Sequence, residues 1–516
     1  MNYLESIDWL IIAVYLAGII AFGVWIGKGQ KTTQDYFLGG RNIPWWGVGL
    51  SIVATETSAL TFIGVPALAY GGDLSFIQVI VGYVIARLIL AALMVPHYLK
   101  REIYSPYQIL ANAFGPGAQR LAGAFFLLGG TLAAGVRVYV TCIPIQLMLE
   151  TENWIPQFVR HAGRAVPGAD GILLAILLFV GLSLIYTYVG GIKAVVWTDA
   201  VQFGLFMLGG LFTLVYVPLV MDAGWDGAMA QAAKAGKLDW LNTKFSLAMP
   251  FNLWMGVFGA TAQVMASHGA DQLIVQRVLT CKSVSEGRKA LVLSAVIILP
   301  LFLLFLLTGT MLWAFYQEFP VGMAIPATKA GLSKHDYIYP IFMLTAVPSG
   351  IKGFLIVAIL AAAMSSVSSA LSALASVSTM DFLRGWLARG GREQHALRFS
   401  KYSTLFWAAM LVLVAYASRE APFVFNLAFS LNGLTSGAML GGLLLALLWK
   451  NGRASPVVLG MLASLAVMAV ISLRFKAEIA WPWFTLIGTS VTLLVAWLTR
   501  MLQRAPQPPA PTATQS

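Results

Sequence analysis

Apolar residues run along this chain in stretches too long and too unbroken for the core helices of a soluble domain. Such runs cover residues 8–27, 44–70, 75–98, 120–149, 171–190, 195–220, 252–276, 288–316, 352–380, 402–418, 422–448, 455–473 and 481–501. A helix needs about 20 apolar residues to cross the hydrocarbon of a bilayer. The pattern therefore predicts an all-α integral membrane protein with thirteen spans, a leading helix followed by core helices one to twelve. The segment beyond Arg504, APQPPAPTATQS, is Pro-rich without apolar periodicity, and 505–516 is expected to be a disordered tail.

Composition supports this reading. Hydrophobic residues make up 59% of the 516 and charged residues 10%, whereas soluble domains carry about 25% charge. The net charge of +12 raises nucleic-acid binding. The basic residues fall in short loops between apolar runs and form no stripe, which excludes it. The two cysteines, Cys142 and Cys281, lie in separate segments and the five histidines contain no HExxH, so neither a disulfide framework nor a zinc site is expected. No nucleophile–base pair is apparent, which argues against an enzyme. No obligate protein partner is evident. Glu5 and Asp8 precede the first apolar run where a signal peptide would be basic, so that run is expected to remain as a helix.

Charge orients the spans. With the N-terminus outside, twenty of the 33 Lys and Arg fall in cytoplasmic loops, Arg277 and Lys282 among them. This asymmetry predicts the N-terminus out and the C-terminus in, with the protein in the plasma membrane or, in a bacterium, the inner membrane.

Polar residues inside spans point to function. Core helix one, WWGVGLSIVATETSALTFIGVPALAY, places Thr55, Glu56, Thr57, Ser58 and Thr61 at mid-depth among glycines. Such a segment can unwind and free backbone carbonyls for a cation. Core helix six is interrupted by Gly256, Gly259, Thr261, Gln263, Ser267, His268 and Gly269. Two interrupted helices five spans apart suggest an inverted repeat; small residues for close packing are the alternative. On core helix eight, Ser365, Ser368 and Ser369 share one face. They form either a cation site of hydroxyls or a packing stripe whose hydroxyls bond back to the helix. Asp199 is a helix-end anchor or a carboxylate ligand. Arg137, inside core helix three, requires an anion, either Glu56 or a solute carboxylate. Arg87 poses the same question in core helix two. Glu56 could neutralise an arginine, accept solute hydroxyls or take a proton.

The stretches DYFLGGRNIPWWGVGLSIVATETSALTFIG, YTYVGGIKAVVWTDAVQF, DQLIVQR and AAAMSSVSSAL, in this order, resemble the sodium/solute symporter family, which includes sodium–glucose, proline, iodide and sialic acid transporters. The resemblance implies a five-plus-five inverted-repeat fold. Residues 1–43 would hold the leading helix and its cytoplasmic loop, 44–220 the first repeat, 221–448 the second and 449–504 two trailing helices. It implies a sodium site from the backbone carbonyls of Ala54, Thr57 and Ala362 and the hydroxyls of Ser365 and Ser366. It implies a second from Ser365, Ser368, Ser369 and Asp199. The solute is expected at mid-membrane against Ser58, Thr61, Phe76, Arg137, Glu56 and Gln263. Ile80 stands where the sialic acid branch has a glutamine, and Glu56 where it has a neutral residue. These departures point towards an organic anion or a sugar-like solute rather than sialic acid itself. The expected function is sodium-coupled import of a small polar solute by alternating access. A proton-coupled carrier of the same fold and a transporter-like sensor are the rivals.

Overall fold

The structure is a computed structural model that describes residues 3–100, 103–151, 171–325, 335–383, 393–418, 424–449, 452–475 and 477–503. The expected tail at 505–516 lies outside the described residues. The principal helices are α1 (Ser6–Ile26), α2 (Trp45–Glu56), α3 (Ala59–Gly71), α4 (Ile77–Leu93), α5 (Pro116–Thr151), α6 (Gly171–Val220), α7 (Thr261–Gly269), α8 (Gln272–Val278), α9 (Val284–Glu318), α10 (Ile351–Val377), α11 (Glu393–Ala417), α12 (Val424–Leu448), α13 (Ala454–Arg474) and α14 (Phe484–Gln503). No strand occurs among the described residues. Eight helices are long and apolar enough to cross a membrane, and the bent pair α2–α3 adds a ninth candidate.

The first interruption falls where the hydroxyl residues cluster. Thr57 leaves helical geometry at φ −86°, ψ 96°, and α2 and α3 diverge by 54°. Thr57 donates both its amide (2.8 Å) and its hydroxyl (2.6 Å) to the Val53 carbonyl. Such side-chain bonds compete with helix continuation. The turn leaves the last carbonyls of α2 without intrahelical partners. Ala54 is one of those residues.

The second interruption is longer. Residues Met255–Ala260 form a π-helical turn, α7 follows, and the chain breaks at Ala270–Asp271 before α8. Asp271 caps α8 by accepting the Leu273 amide at 2.8 Å. The DQLIVQR stretch, where the run 252–276 was expected to give way to a cytoplasmic loop, is thus mostly helix, and Arg277, counted among the cytoplasmic charges, is fully buried. Its charge is neutralised inside the protein, as the next subsection describes. Close packing also accounts for part of the glycine pattern: a Cβ on Gly256 would lie 2.2 Å from the Gln78 carbonyl oxygen on α4.

The runs 171–190 and 195–220 join in α6, whose 50 residues are turned at Gly191 (φ 55°, ψ −154°). A Cβ there would lie 2.4 Å from the Tyr36 carbonyl oxygen. That backbone region is nearly exclusive to glycine and costs other residues about 1–3 kcal/mol. Gly191→Ala should lower the unfolding midpoint in detergent, while Gly204→Ala, where a Cβ would meet nothing within 4 Å, should not. Equal midpoints would show that α6 does not need this turn.

Helix α10 lies at the centre, packed along α6 and touching α1, α2, α5 and α11. Its N-terminus is held by Asp8 of the leading helix, which accepts the amides of Gly350 and Gly353, each at 2.7 Å. A carboxylate at this position satisfies unpaired amides and complements the helix dipole. The acidic residue that argued against a signal peptide therefore ties α1 to the bundle.

Candidate functional site

The two interruptions face a cavity bounded by α2–α3, α4, α5, α7–α8 and α9. Its lining mixes apolar and aromatic side chains with a few polar and charged ones, as small-molecule sites do. All six expected solute residues line it: Glu56, Ser58, Thr61, Phe76, Arg137 and Gln263. Tyr83, Ser267, His268 and Asp271 line it too. Ile80 is buried and does not line the cavity.

Glu56 and His268 on one wall join Arg87 behind it in a triad. Arg87, with no exposed surface, bonds through Nη2 to Glu56 Oε2 and through Nη1 to the Tyr83 carbonyl at 3.1 Å. His268 Nε2 sits 3.1 Å from Arg87 Nη2 and 3.6 Å from Glu56 Oε2, and its Nδ1 is 2.9 Å from Ser267 Oγ. A guanidinium only donates. His268 Nε2 must therefore accept, which puts the ring proton on Nδ1 and directs it at Ser267. The anion required by Arg87 is Glu56. That leaves Arg137 of α5, since no ion pair among the described residues includes it. Arg137 also lines a smaller adjoining cavity with Thr55, Thr141 and Ser366.

The expected cation ligands lie at the end of α2, on α6 and on α10. Ser366 Oγ donates to the Ala362 carbonyl at 3.3 Å, which leaves its oxygen lone pairs available. Ser368 and Ser369 donate to the Ser365 carbonyl at 3.0 and 2.5 Å. This is the back-bonding that a packing stripe would show. Ser365 differs: its hydroxyl is buried beside the Asp199 carboxylate and has no hydrogen-bond partner. Asp199 Oδ1 is likewise buried without a partner. Small hard cations take oxygen ligands, and unsatisfied buried oxygens are rare in proteins. These residues fit a sodium ion.

Asp199 is no solvent-facing anchor. It is fully buried in α6, and its Oδ2 accepts from Ser51 Oγ (2.5 Å), Thr55 Oγ1 (3.4 Å) and Arg277 Nη2 (3.0 Å). Arg277 also donates to Ser51 Oγ at 2.8 Å and to Ser369 Oγ. The roles of Ser51, His268, Asp271 and Arg277 escaped the sequence reading. Arg277 carried a signal, being the only basic residue of the DQLIVQR motif, but its assignment to a loop concealed its partner.

A sequence model of the sodium:solute symporter family matches residues 36–150 and 170–464. The chain belongs to that family. It is a multi-pass membrane transporter, not an enzyme, and sodium is its coupling ion. The sodium/sialic acid symporter SiaT of Proteus mirabilis is 28% identical over 96% of this chain and 95% of its own. The sodium/glucose cotransporter of Vibrio parahaemolyticus is 28% identical over 90% of this chain and 84% of its own. A substrate-bound outward-open structure of a Na+-coupled sialic acid symporter superimposes with a TM-score of 0.82 at 26% identity, covering 97% of this chain and 99% of that one. Mhp1, a nucleobase-cation-symport transporter, shares the fold at a TM-score of 0.54 and 15% identity, covering 90% of this chain and 94% of that one.

Proposed function

We propose that this symporter imports a small organic anion bearing hydroxyl groups, and that Arg137 binds its carboxylate. The observation that carries this reading is the distribution of charge around the cavity. Arg87 and Arg277 are each paired with a carboxylate, whereas Arg137 faces the cavity outside every ion pair among the described residues, with Asp271, the carboxylate that acts on it most, beyond ion-pair distance. A solute carboxylate would complete it. Glu56, Ser58, Thr61 and Gln263 would meet the hydroxyls and Phe76 an apolar face. Gln263 Oε1 is buried without a partner, in keeping with an acceptor kept for the solute. The sialic acid transporters among the relatives make N-acetylneuraminate one candidate.

The coupling ion would bind where α2 breaks against α10, between the carbonyls of Ala54, Thr57 and Ala362 and the hydroxyls of Ser365 and Ser366. Ser365, Ser368, Ser369 and Asp199 would take a second. Ser366 and Arg137 line one small cavity, so ion and anion would sit close enough to favour each other. Linkage makes this reciprocal: the solute strengthens sodium binding by the factor by which sodium strengthens solute binding. Each unit of positive charge moved inward down 100 mV contributes about 2.3 kcal/mol. The reading includes thirteen crossings with the N-terminus out and the C-terminus in, inverted repeats at 44–220 and 221–448 flanked by 1–43 and 449–504, and a helix bundle that rocks against its scaffold. A proton-coupled cycle is less favoured, because Glu56 and Asp199 both already hold a guanidinium.

The test is thermal unfolding of purified protein with N-acetylneuraminate, gluconate or glucose, in sodium and in potassium. An acid should stabilise in sodium alone, and Ser366→Ala should shift the sodium requirement upward. Stabilisation by acids equal in both salts would refute the coupling, and stabilisation by glucose alone would refute the anion.

A further inference from the structure

Arg277 occupies a place that no part of the transport cycle above uses. From α8 it reaches three other helices: Ser51 on α2 through Nε at 2.8 Å, Asp199 on α6 through Nη2 at 3.0 Å, and Ser369 on α10. Its Nη1 returns to the Leu273 carbonyl of its own helix. Asp199 and Ser369 are two of the four residues assigned above to a second sodium ion. The guanidinium therefore already covers half of that oxygen set. Of the rest, Ser368 bonds back to the Ser365 carbonyl, while Ser365 Oγ and the second carboxylate oxygen, Asp199 Oδ1, are buried without partners.

Charge decides whether both cations can be present. Arg277 and Asp199 are both fully buried and pair with each other, while Asp271, the other carboxylate that acts on Arg277, forms no ion pair with it. One cation balances one buried carboxylate. A second would leave an uncompensated charge in a low-dielectric interior, which is costly. Removing the only cation is costly for the same reason. We propose that Arg277 is a tethered cation that neutralises Asp199 in the sodium-free carrier and yields it when the second sodium ion arrives. The carboxylate would then stay balanced through the whole cycle, including the return of the empty carrier. Because the arginine also ties α8 to α2, α6 and α10, its release would loosen these helices when the ion binds. The proposal rests on the second sodium site assigned above.

The test needs no solute. Thermal unfolding of the full-length protein is followed across a sodium titration, with potassium keeping ionic strength constant. Arg277→Gln should lower the midpoint in potassium, and sodium should restore it at a concentration roughly tenfold below that needed by the wild type, the competing cation having been removed. Arg277→Lys keeps a cation and should keep the wild-type sodium requirement. Asp199→Asn combined with Arg277→Gln removes both charges; it should regain stability in potassium and lose the tighter sodium response. Equal loss of stability in both salts for Arg277→Gln, or an unchanged sodium requirement, would show that the arginine only braces the helices. Should Arg277→Gln not fold, the other two variants decide: identical sodium responses overturn the proposal. A wild type that ignores sodium would instead refute the sodium sites themselves.

Discussion

Arg137→Gln weakens binding of organic acids about 100- to 1,000-fold in sodium, the loss expected when a charge-assisted pair of hydrogen bonds to a carboxylate is removed. The fold should not suffer, because no ion pair among the described residues includes Arg137. Calorimetric titration of the wild type and the variant measures the ratio of dissociation constants. Unfolding midpoints in potassium check that stability is unchanged. The structure separates Arg137 from Arg87 in this respect. Both lie inside apolar runs, and both needed an anion when only their positions were known. A variant that binds acids as tightly as the wild type would move the carboxylate site elsewhere in the cavity.

Arg87→Met has the opposite profile, with a large loss of stability that a second substitution repairs. Arg87 is fully buried and Glu56 is 14% exposed, towards the cavity. Removing one partner of a buried pair costs about 3–5 kcal/mol because the other charge is stranded, and the cavity-facing side of Glu56 places the expected loss at the lower end. Met preserves much of the side-chain volume. Glu56→Gln in the Arg87→Met background removes the stranded charge and should recover most of the stability, with a coupling of at least about 1 kcal/mol in the double-mutant cycle. The sum of the two single losses in the double variant would show that Glu56 and Arg87 do not act as a pair.

Much of this arrangement was legible without coordinates. Apolar runs of this length and number belong in lipid, so the membrane class followed from run length. Hydroxyl and glycine residues at mid-depth mark where a helix can afford to stop, and α2 does end at Thr57. Legibility failed for the pairing of charges. A buried arginine announces that it needs an anion but not which one, because the partner comes from another helix. Glu56 and Arg87 are 31 positions apart, and Asp199 and Arg277 are 78 apart. Arg277 was misplaced because a basic residue directly after an apolar run reads as the start of a loop. Only the cap by Asp271 and the packing of α8 against α2 and α10 reveal it as buried helix. The serine face was harder still. Ser368 and Ser369 bond back to Ser365 as a packing stripe would, and only the unpartnered Ser365 hydroxyl and Asp199 Oδ1 mark the cluster as more than that.

The central claim is that a sodium gradient drives accumulation of an organic anion. Its most direct test is uptake into proteoliposomes of the acid that stabilises the purified protein. An inward sodium gradient should drive uptake above equilibrium, with potassium in place of sodium abolishing it and a proton ionophore leaving it intact. Uptake that persists in potassium and follows an imposed pH gradient would contradict the account.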